Sequence, residues 1–175
     1  MEEEKVIWIT GASSGIGRSL ALKFADEGWT VAASARRMEL LSSLSKENNN
    51  IFPFPLDVTK VEQCNTVFND IIKRFNNIEI SFFCTGIHEP KSEKEFNLDK
   101  IRQIMEVNYF GTINSVNAVH SYFSNKRSGQ ISIVSSVAGY RGLPAAGAYC
   151  ASKSALTSFA ESLYFEMKKK MLEFH

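Results

Sequence analysis

Tyr149 and Lys153 stand four residues apart, with Ser136 thirteen positions upstream and a glycine-rich turn, Thr10-Gly11-Ala12-Ser13-Ser14-Gly15-Ile16-Gly17, near the start of the chain. On a helix the lysine falls one turn beyond the tyrosine on the same face, where its ammonium favours the ionised phenol. A phenol so tuned can pass a proton to a carbonyl oxygen while a cofactor delivers hydride to the carbon.

The spacing alone is not selective. It occurs three times, as Tyr122 with Lys126, Tyr149 with Lys153 and Tyr164 with Lys168. Only Tyr149 opens a predicted helix after a loop of small residues, where an active-site group can face a cleft. Only Tyr149 has a serine thirteen back, in the Ser135-Ser136 pair that ends an apolar strand. Ser135 competes for the role, with a spacing one residue too long. The other two pairs lie inside helical patterns and read as solvated or interface pairs.

These groups need elements to hold them. Apolar runs alternate with helical periodicity along the chain, which predicts α/β architecture, a doubly wound parallel sheet with crossover helices. Val6 to Ile9 is a buried first strand, followed by the glycine turn. Ile16, Leu20 and Phe24 step by four along a helix that ends before Gly28. Strands follow at Thr30 to Ala35, Ile51 to Pro55, Ile80 to Thr85 and Ile131 to Val134. The prolines of the third suit a sheet edge. Helices are predicted at Met38 to Ser45, from Thr59 to about Phe75, at Asp99 to Met105, from about Asn108 to Asn125, and from near Ala148 to about Lys169. Thr59 and Glu62 have the spacing of a capping box. His88 to Asn97 and Gly139 to Gly147 are loops. No repeat or interdomain linker appears, so residues 1–175 read as one domain.

Bulk composition narrows the function classes. The 175 residues are 44% hydrophobic and 22% charged, enough for a real core. A net charge of +1 gives no electrostatic case for nucleic acid or an acidic membrane surface. The basic run Lys168-Lys169-Lys170 reads as a solvated helix end. The start, Met1-Glu2-Glu3-Glu4-Lys5, is not a signal peptide, and no apolar run reaches membrane-spanning length. Cys64, Cys84 and Cys150 are odd in number and lack a CxxC, so they read as reduced thiols of a cytoplasmic protein. His88, His120 and His175 are scattered, and no ligand cluster for a metal is expected.

A glycine turn between the first strand and the first helix is where such a sheet binds a dinucleotide. Backbone N–H groups approach the pyrophosphate there, and the helix N-terminus favours its charge. Gly11, Ser13, Ser14, Gly15, Ile16 and Gly17 are the candidate contacts. The pattern is not GxGxxG, nor a P-loop, since no Gly-Lys-Ser/Thr follows. Arg36-Arg37 follows the second strand, where the adenosine ribose would lie. Arginine there suits the 2′-phosphate of NADP(H), whereas NAD(H) calls for a carboxylate. Asp57 has two readings, an acceptor for the adenine amino group or the cap of a turn with Thr59.

Together these residues resemble the short-chain dehydrogenase/reductase family, and the similarity runs almost end to end over what is present. The family's TGxxxGxG is Thr10 to Gly17. Its Asn, Ser, Tyr and Lys tetrad is Asn108, Ser136, Tyr149 and Lys153, and its adenine-side acid is Asp57, followed by Val58. The resemblance implies Tyr149 as general acid in reduction and base in oxidation. Lys153 would favour its ionisation and hold the nicotinamide ribose hydroxyls. Ser136 would hydrogen-bond the substrate carbonyl. Asn108 would hold a water that relays protons to Lys153. It also implies a homo-oligomer built on the helices starting near Asn108 and Ala148, the latter with a small-residue surface of Ala151, Ser154, Ala155 and Ser158.

Two departures stand out. The family's Asn-Asn-Ala-Gly after strand four is here Phe83-Cys84-Thr85-Gly86. Gly86 keeps the close backbone approach, while the asparagine hydrogen bonds are lost, and the resemblance implies that Cys84 would lie beside the cofactor as a small buried filler. Family members also run on past the Tyr–Lys helix into a sixth strand, a Pro-Gly segment, a substrate lobe and a seventh strand. Without them strand five is an open edge. Either the chain is a fragment, or something covers that edge. The sequence therefore supports an NADP(H)-dependent oxidoreductase interconverting a carbonyl and a secondary alcohol of a small-molecule substrate, with a catalytically inert truncated nucleotide-binding or interaction module as the alternative.

Overall fold

The computed structural model describes residues 4–89 and 96–172, and for 169–172 the backbone alone. Met1, Glu2 and Glu3, residues 90–95 of the polar loop, the Lys169 and Lys170 side chains and His175 lie outside it.

Five strands form one parallel sheet in the order β3-β2-β1-β4-β5. They are β1 (Val6–Thr10), β2 (Thr30–Ala35), β3 (Ile51–Pro55), β4 (Ile80–Phe83) and β5 (Gln130–Ile133). Every residue of β1 is buried, as a central strand covered on both faces requires. Side chains alternate across the sheet. Val6 and Trp8 pack toward α3 (Val61–Phe75) and α5 (Gly111–Lys126), joined by Leu163 of α6 (Gly147–Leu172). Ile7 and Ile9 pack toward α1 (Gly15–Asp26) and α2 (Met38–Glu47). Trp8 anchors the first layer. Its ring meets Phe83 edge-on at 5.7 Å, and its indole N–H donates to Ser34 Oγ at 2.9 Å.

The two prolines of β3, Pro53 and Pro55, sit at a sheet edge as the sequence requires, because among the described residues β3 pairs only with β2. The other edge, β5, pairs only with β4 and stays partly exposed. An apolar groove of about 470 Å³ runs beside it, lined by Phe123, Ile131, Ile133, Leu163 and Met167.

Three local expectations need correction. Thr59 and Glu62 do not form a capping box. Asp57 Oδ1 accepts from both Thr59 N (3.0 Å) and Thr59 Oγ1 (2.8 Å), so the Thr59 hydroxyl serves as a donor and the helix starts later, with Lys60 at its N-cap. The two helices expected either side of Glu106 are one continuous run. α4 (Leu98–Met105) passes through a widened π turn, Glu106–Phe110, into α5. Asn108 thus lies inside a helical run rather than at a helix start. Finally, Tyr122 and Lys126 are neither solvated nor an interface. Both bind the turn before β4, through Asn77 and Ile78.

Candidate active site

The sheet order reverses between β1 and β4, and a cleft of about 460 Å³ opens at the C-terminal ends of the strands there. Its floor is the glycine turn. Gly11 has φ +71°, and a Cβ built on it would meet Thr85 N at 2.9 Å. A Cβ at Gly17 would lie 2.5 Å from Gly11 O. Only glycine lets the turn fold back on itself and against the segment after β4. Ser13, Ser14, Gly15 and Ile16 also line the cleft. Ser14 is the N-cap of α1 but makes no side-chain cap bond, and the first turn carries no acid. The first-turn N–H groups are therefore available to an anion.

Arg36 and Arg37 line the same cleft beyond β2, and Arg37 Nη2 donates to Ser13 Oγ at 3.1 Å. Asp57, Val58 and Gly86 complete the set of expected cofactor contacts on its wall. Asp57 makes the turn with Thr59 that one of its two readings required. Cys84 lines the cleft half-buried. Burial pushes its thiol up to about 12, against the opposing pull of the Lys153 charge. An uncapped helix end, a turn held tight by Gly11 and Gly17 and two guanidinium groups are a donor set that fits a nucleotide carrying several phosphates.

Two of the remaining candidates, Asn108 and Lys153, stand behind Gly86 of the cleft wall. A Cβ built at Gly86 would lie 3.5 Å from both Lys153 Nζ and Asn108 Oδ1. Lys153 is 4% exposed, and its ammonium donates to Val134 O at 2.8 Å, just past β5. Burial lowers its pKa from the ordinary lysine value, with the Cys84 thiol acting the other way. Lys153 Nζ stands 5.8 Å from the centroid of the Tyr149 ring, one turn earlier on α6.

Asn108 is fully buried in the π turn. Its Oδ1 accepts from Ile87 N at 2.7 Å, and its Nδ2 donates to Ile87 O (3.0 Å) and Ser152 Oγ (3.1 Å). One side chain thus ties the segment after β4 to the residue preceding Lys153. Widened helical turns of this kind are rare and occur frequently at functional sites.

Ser136 and Ser135 are sorted by their hydroxyls. Ser135 Oγ donates to Lys153 O at 3.0 Å and shares a 2.7 Å contact with Thr157 Oγ1, so it fastens β5 to α6. Ser136 Oγ accepts from Ala138 N at 3.2 Å, capping a short 3-10 turn, Val137–Gly139. Its hydrogen has no acceptor among the described residues.

Three contributors escaped the sequence reading. Ser152 and Ile87 matter only as partners of Asn108. A buried serine three residues after Tyr149 was the available signal for the first; a main-chain clamp leaves none for the second. The third is His88, whose imidazole lies flat on the Tyr149 ring, with centroids 4.1 Å apart and planes at 17°.

No helix among the described residues is long and apolar enough to cross a membrane. The sequence profile of the short chain dehydrogenase family matches residues 5–174. The chain is 32% identical over 172 residues to dehydrogenase/reductase SDR family member 7 of Mus musculus, covering 94% of this chain and 51% of that protein. It thus spans about half the length of that relative. Among solved structures it is similar to a short-chain dehydrogenase from Streptomyces avermitilis, with a TM-score of 0.87 and 29% identity over 95% of this chain and 62% of that one. It is also similar to ElxO with NADP bound, with a TM-score of 0.85 and 26% identity over 95% and 69% of the two chains. By sequence along nearly its whole length and by the order of its sheet, the chain belongs to the short chain dehydrogenase family of oxidoreductases.

Proposed function

We propose that this chain carries the cofactor site and reacting groups of an NADP(H)-dependent oxidoreductase that interconverts a carbonyl and a secondary alcohol. The observation that carries the proposal is the convergence of Lys153 Nζ and Asn108 behind Gly86 of the cleft wall, with the Tyr149 phenol one helical turn away. Arg36 and Arg37, with no acid beside them, favour a 2′-phosphate over a bare ribose hydroxyl. A similar protein, ElxO, has been solved with NADP bound.

The bound nucleotide supplies or accepts the hydride. Tyr149 donates its phenolic proton to the carbonyl oxygen in reduction and takes it back in oxidation. The uncommitted hydroxyl hydrogen of Ser136 donates to the same oxygen as its charge grows. The Lys153 ammonium stabilises the phenolate left behind. One of its three N–H groups is spent on Val134 O, which leaves two for the ribose hydroxyls. Both amide hydrogens of Asn108 are committed to Ile87 and Ser152, so a relay water would be held by the second lone pair of Oδ1.

Fluorescence titration of the chain with NADPH and NADH tests the cofactor assignment. NADPH is expected to bind at least about tenfold tighter; equal affinities, or no binding of either, refute it. NADPH oxidation with a panel of carbonyl compounds tests the chemistry. Unchanged turnover in Tyr149→Phe removes that residue from its role. A second reading, a nucleotide-binding module without turnover, is favoured by the partly exposed β5, which among the described residues pairs with β4 alone. NADPH binding with no turnover against any carbonyl selects it.

Self-association through α5 and α6 belongs to the same proposal. Ala151, Ser154 and Ser158 are exposed rather than packed on the sheet, and Phe110, Tyr164 and Phe165 are 49%, 58% and 69% exposed. Sedimentation as a clean monomer would contradict it.

A further inference from the structure

The turn that follows the reactive serine is apolar and bare. Val137 is 84% exposed, Tyr140 83% and Leu143 48%. A single exposed apolar side chain needs no explanation; three within seven residues beside reacting groups do. In a 3-10 turn, positions three apart eclipse, so Val137 and Tyr140 share one face. Ala138, on the other side of the turn, is buried against Ala146 and Cys150, with Tyr149 packed on the same cluster.

That face is held in place. Ser154 Oγ donates to Gly139 O at 2.6 Å, and Leu143 N donates to Cys150 Sγ at 3.3 Å. A Cβ at Gly139 would lie 3.1 Å from the Lys153 carbonyl. The segment is thereby fastened to the first two turns of α6, which carry Tyr149 and Lys153. Its backbone is thus held against the helix that carries Tyr149. From residue 134 to residue 150 the one charged side chain is Arg141. On the other side of the phenol, the stacked His88 ring presents a flat aromatic surface.

We propose that the substrate is a bulky apolar or aromatic ketone or aldehyde, gripped by Val137, Tyr140 and Leu143, and not a sugar, a phosphorylated or a carboxylate-bearing carbonyl. The inference rests on the reading that Tyr149 and Ser136 engage a carbonyl oxygen. Burying this face against an apolar substrate removes three large side chains from water, which a small or strongly hydrated substrate does not do.

The test uses the 175-residue chain with and without NADPH, and three probes followed by ligand-observed NMR: 1-acetylnaphthalene, acetone and dihydroxyacetone phosphate. The naphthyl ketone is expected to bind at least about tenfold more tightly than either other probe. The combined variant Val137→Ser, Tyr140→Ser, Leu143→Ser is expected to lose about that tenfold. Its exposed positions leave the fold intact, which its NADPH titration and thermal melt check. Equal affinity for the three probes, a preference for the phosphate, or an unchanged naphthyl affinity in the variant overturns the proposal. So does a wild-type dimer that the variant dissociates, since the face would then be a contact with a second copy. Failure of the cofactor reading shows separately, as loss of NADPH binding with variant-sensitive naphthyl binding retained.

Discussion

Two tyrosine–lysine pairs with the same four-residue spacing sit at opposite ends of the sheet. Locally they are alike. Lys126 Nζ lies 5.7 Å from the centroid of the Tyr122 ring, and Lys153 Nζ lies 5.8 Å from that of Tyr149. Their surroundings differ. At the N-terminal end of β4, Tyr122 Oη donates to Asn77 Oδ1 (3.2 Å) and accepts from Ile78 N (3.1 Å). Lys126 Nζ donates to Asn77 Oδ1 (2.6 Å) and Ile78 O (3.2 Å). Phenol and ammonium there are committed to one turn of backbone, and the pair works as a staple. At the C-terminal end, Lys153 makes one bond to Val134 O, and the Tyr149 ring lies between His88 and the alanine-lined turn. The spacing creates the juxtaposition in both places. On the proposed function, what would separate a reactive pair from a structural one is whether its donors remain uncommitted.

Substitutions can break or sharpen this contrast. The largest effect is expected from Tyr149→Phe, which should lower NADPH-dependent carbonyl reduction by about 10²–10⁴-fold, whereas Tyr122→Phe leaves it unchanged in the same steady-state assay. Next, Arg36→Ala with Arg37→Ala should weaken NADPH by roughly ten- to a hundredfold and NADH hardly at all, in parallel fluorescence titrations, because in the proposed site the guanidiniums would make charge-assisted bonds to the phosphate that NADH lacks. Stability should be unmoved by that change. The reverse pattern belongs to the staple. Tyr122→Phe should cost about 1 kcal/mol in urea denaturation, from the two hydrogen bonds lost, and leave NADPH affinity intact.

The smallest effect is a slope. Burial lowers the Lys153 pKa in the folded state below the ordinary lysine value of the unfolded chain. Between those two pKa values the unfolded chain binds more protons, so this group's contribution to stability rises with pH there. Its penalty is fully present below the folded pKa and is relieved as pH climbs toward the unfolded one. Lys153→Met removes the term. The stability difference, wild type minus variant, should therefore grow between neutral pH and pH 10 in paired denaturation curves. A flat difference would mean that the ammonium is not desolvated as the structure has it.

Much of the architecture was legible because it is periodic. β2 and β3 fall on the residues expected, and the end of α3 at Phe75 does too. The glycine turn was legible because its residues carry a backbone requirement in their type. The tetrad candidates were singled out by spacing; the structure sets Asn108 and Lys153 beside Gly86 of the cleft wall, Tyr149 one turn before Lys153, and Ser136 at the cap of the turn after β5. Thr59 misled because its hydroxyl could serve either the helix or Asp57, and Asp57 holds it. Asn108 was placed at a helix start because the pattern breaks near Glu106, and a π turn breaks periodicity without ending a helix.

By itself, then, the amino-acid order determined which residues alternate between strand and helix, where a side chain is forbidden, and which phenol, ammonium and hydroxyl are candidates to meet. Those depend on neighbours a few positions apart. Only the tertiary structure decided that Tyr122 and Lys126 are spent on Asn77 and Ile78, that His88 covers the Tyr149 ring, and that Asn108 joins Ile87 to Ser152. Each of these hydrogen-bond or ring partners lies far away along the chain, and commitment of a donor depends on what the fold brings beside it.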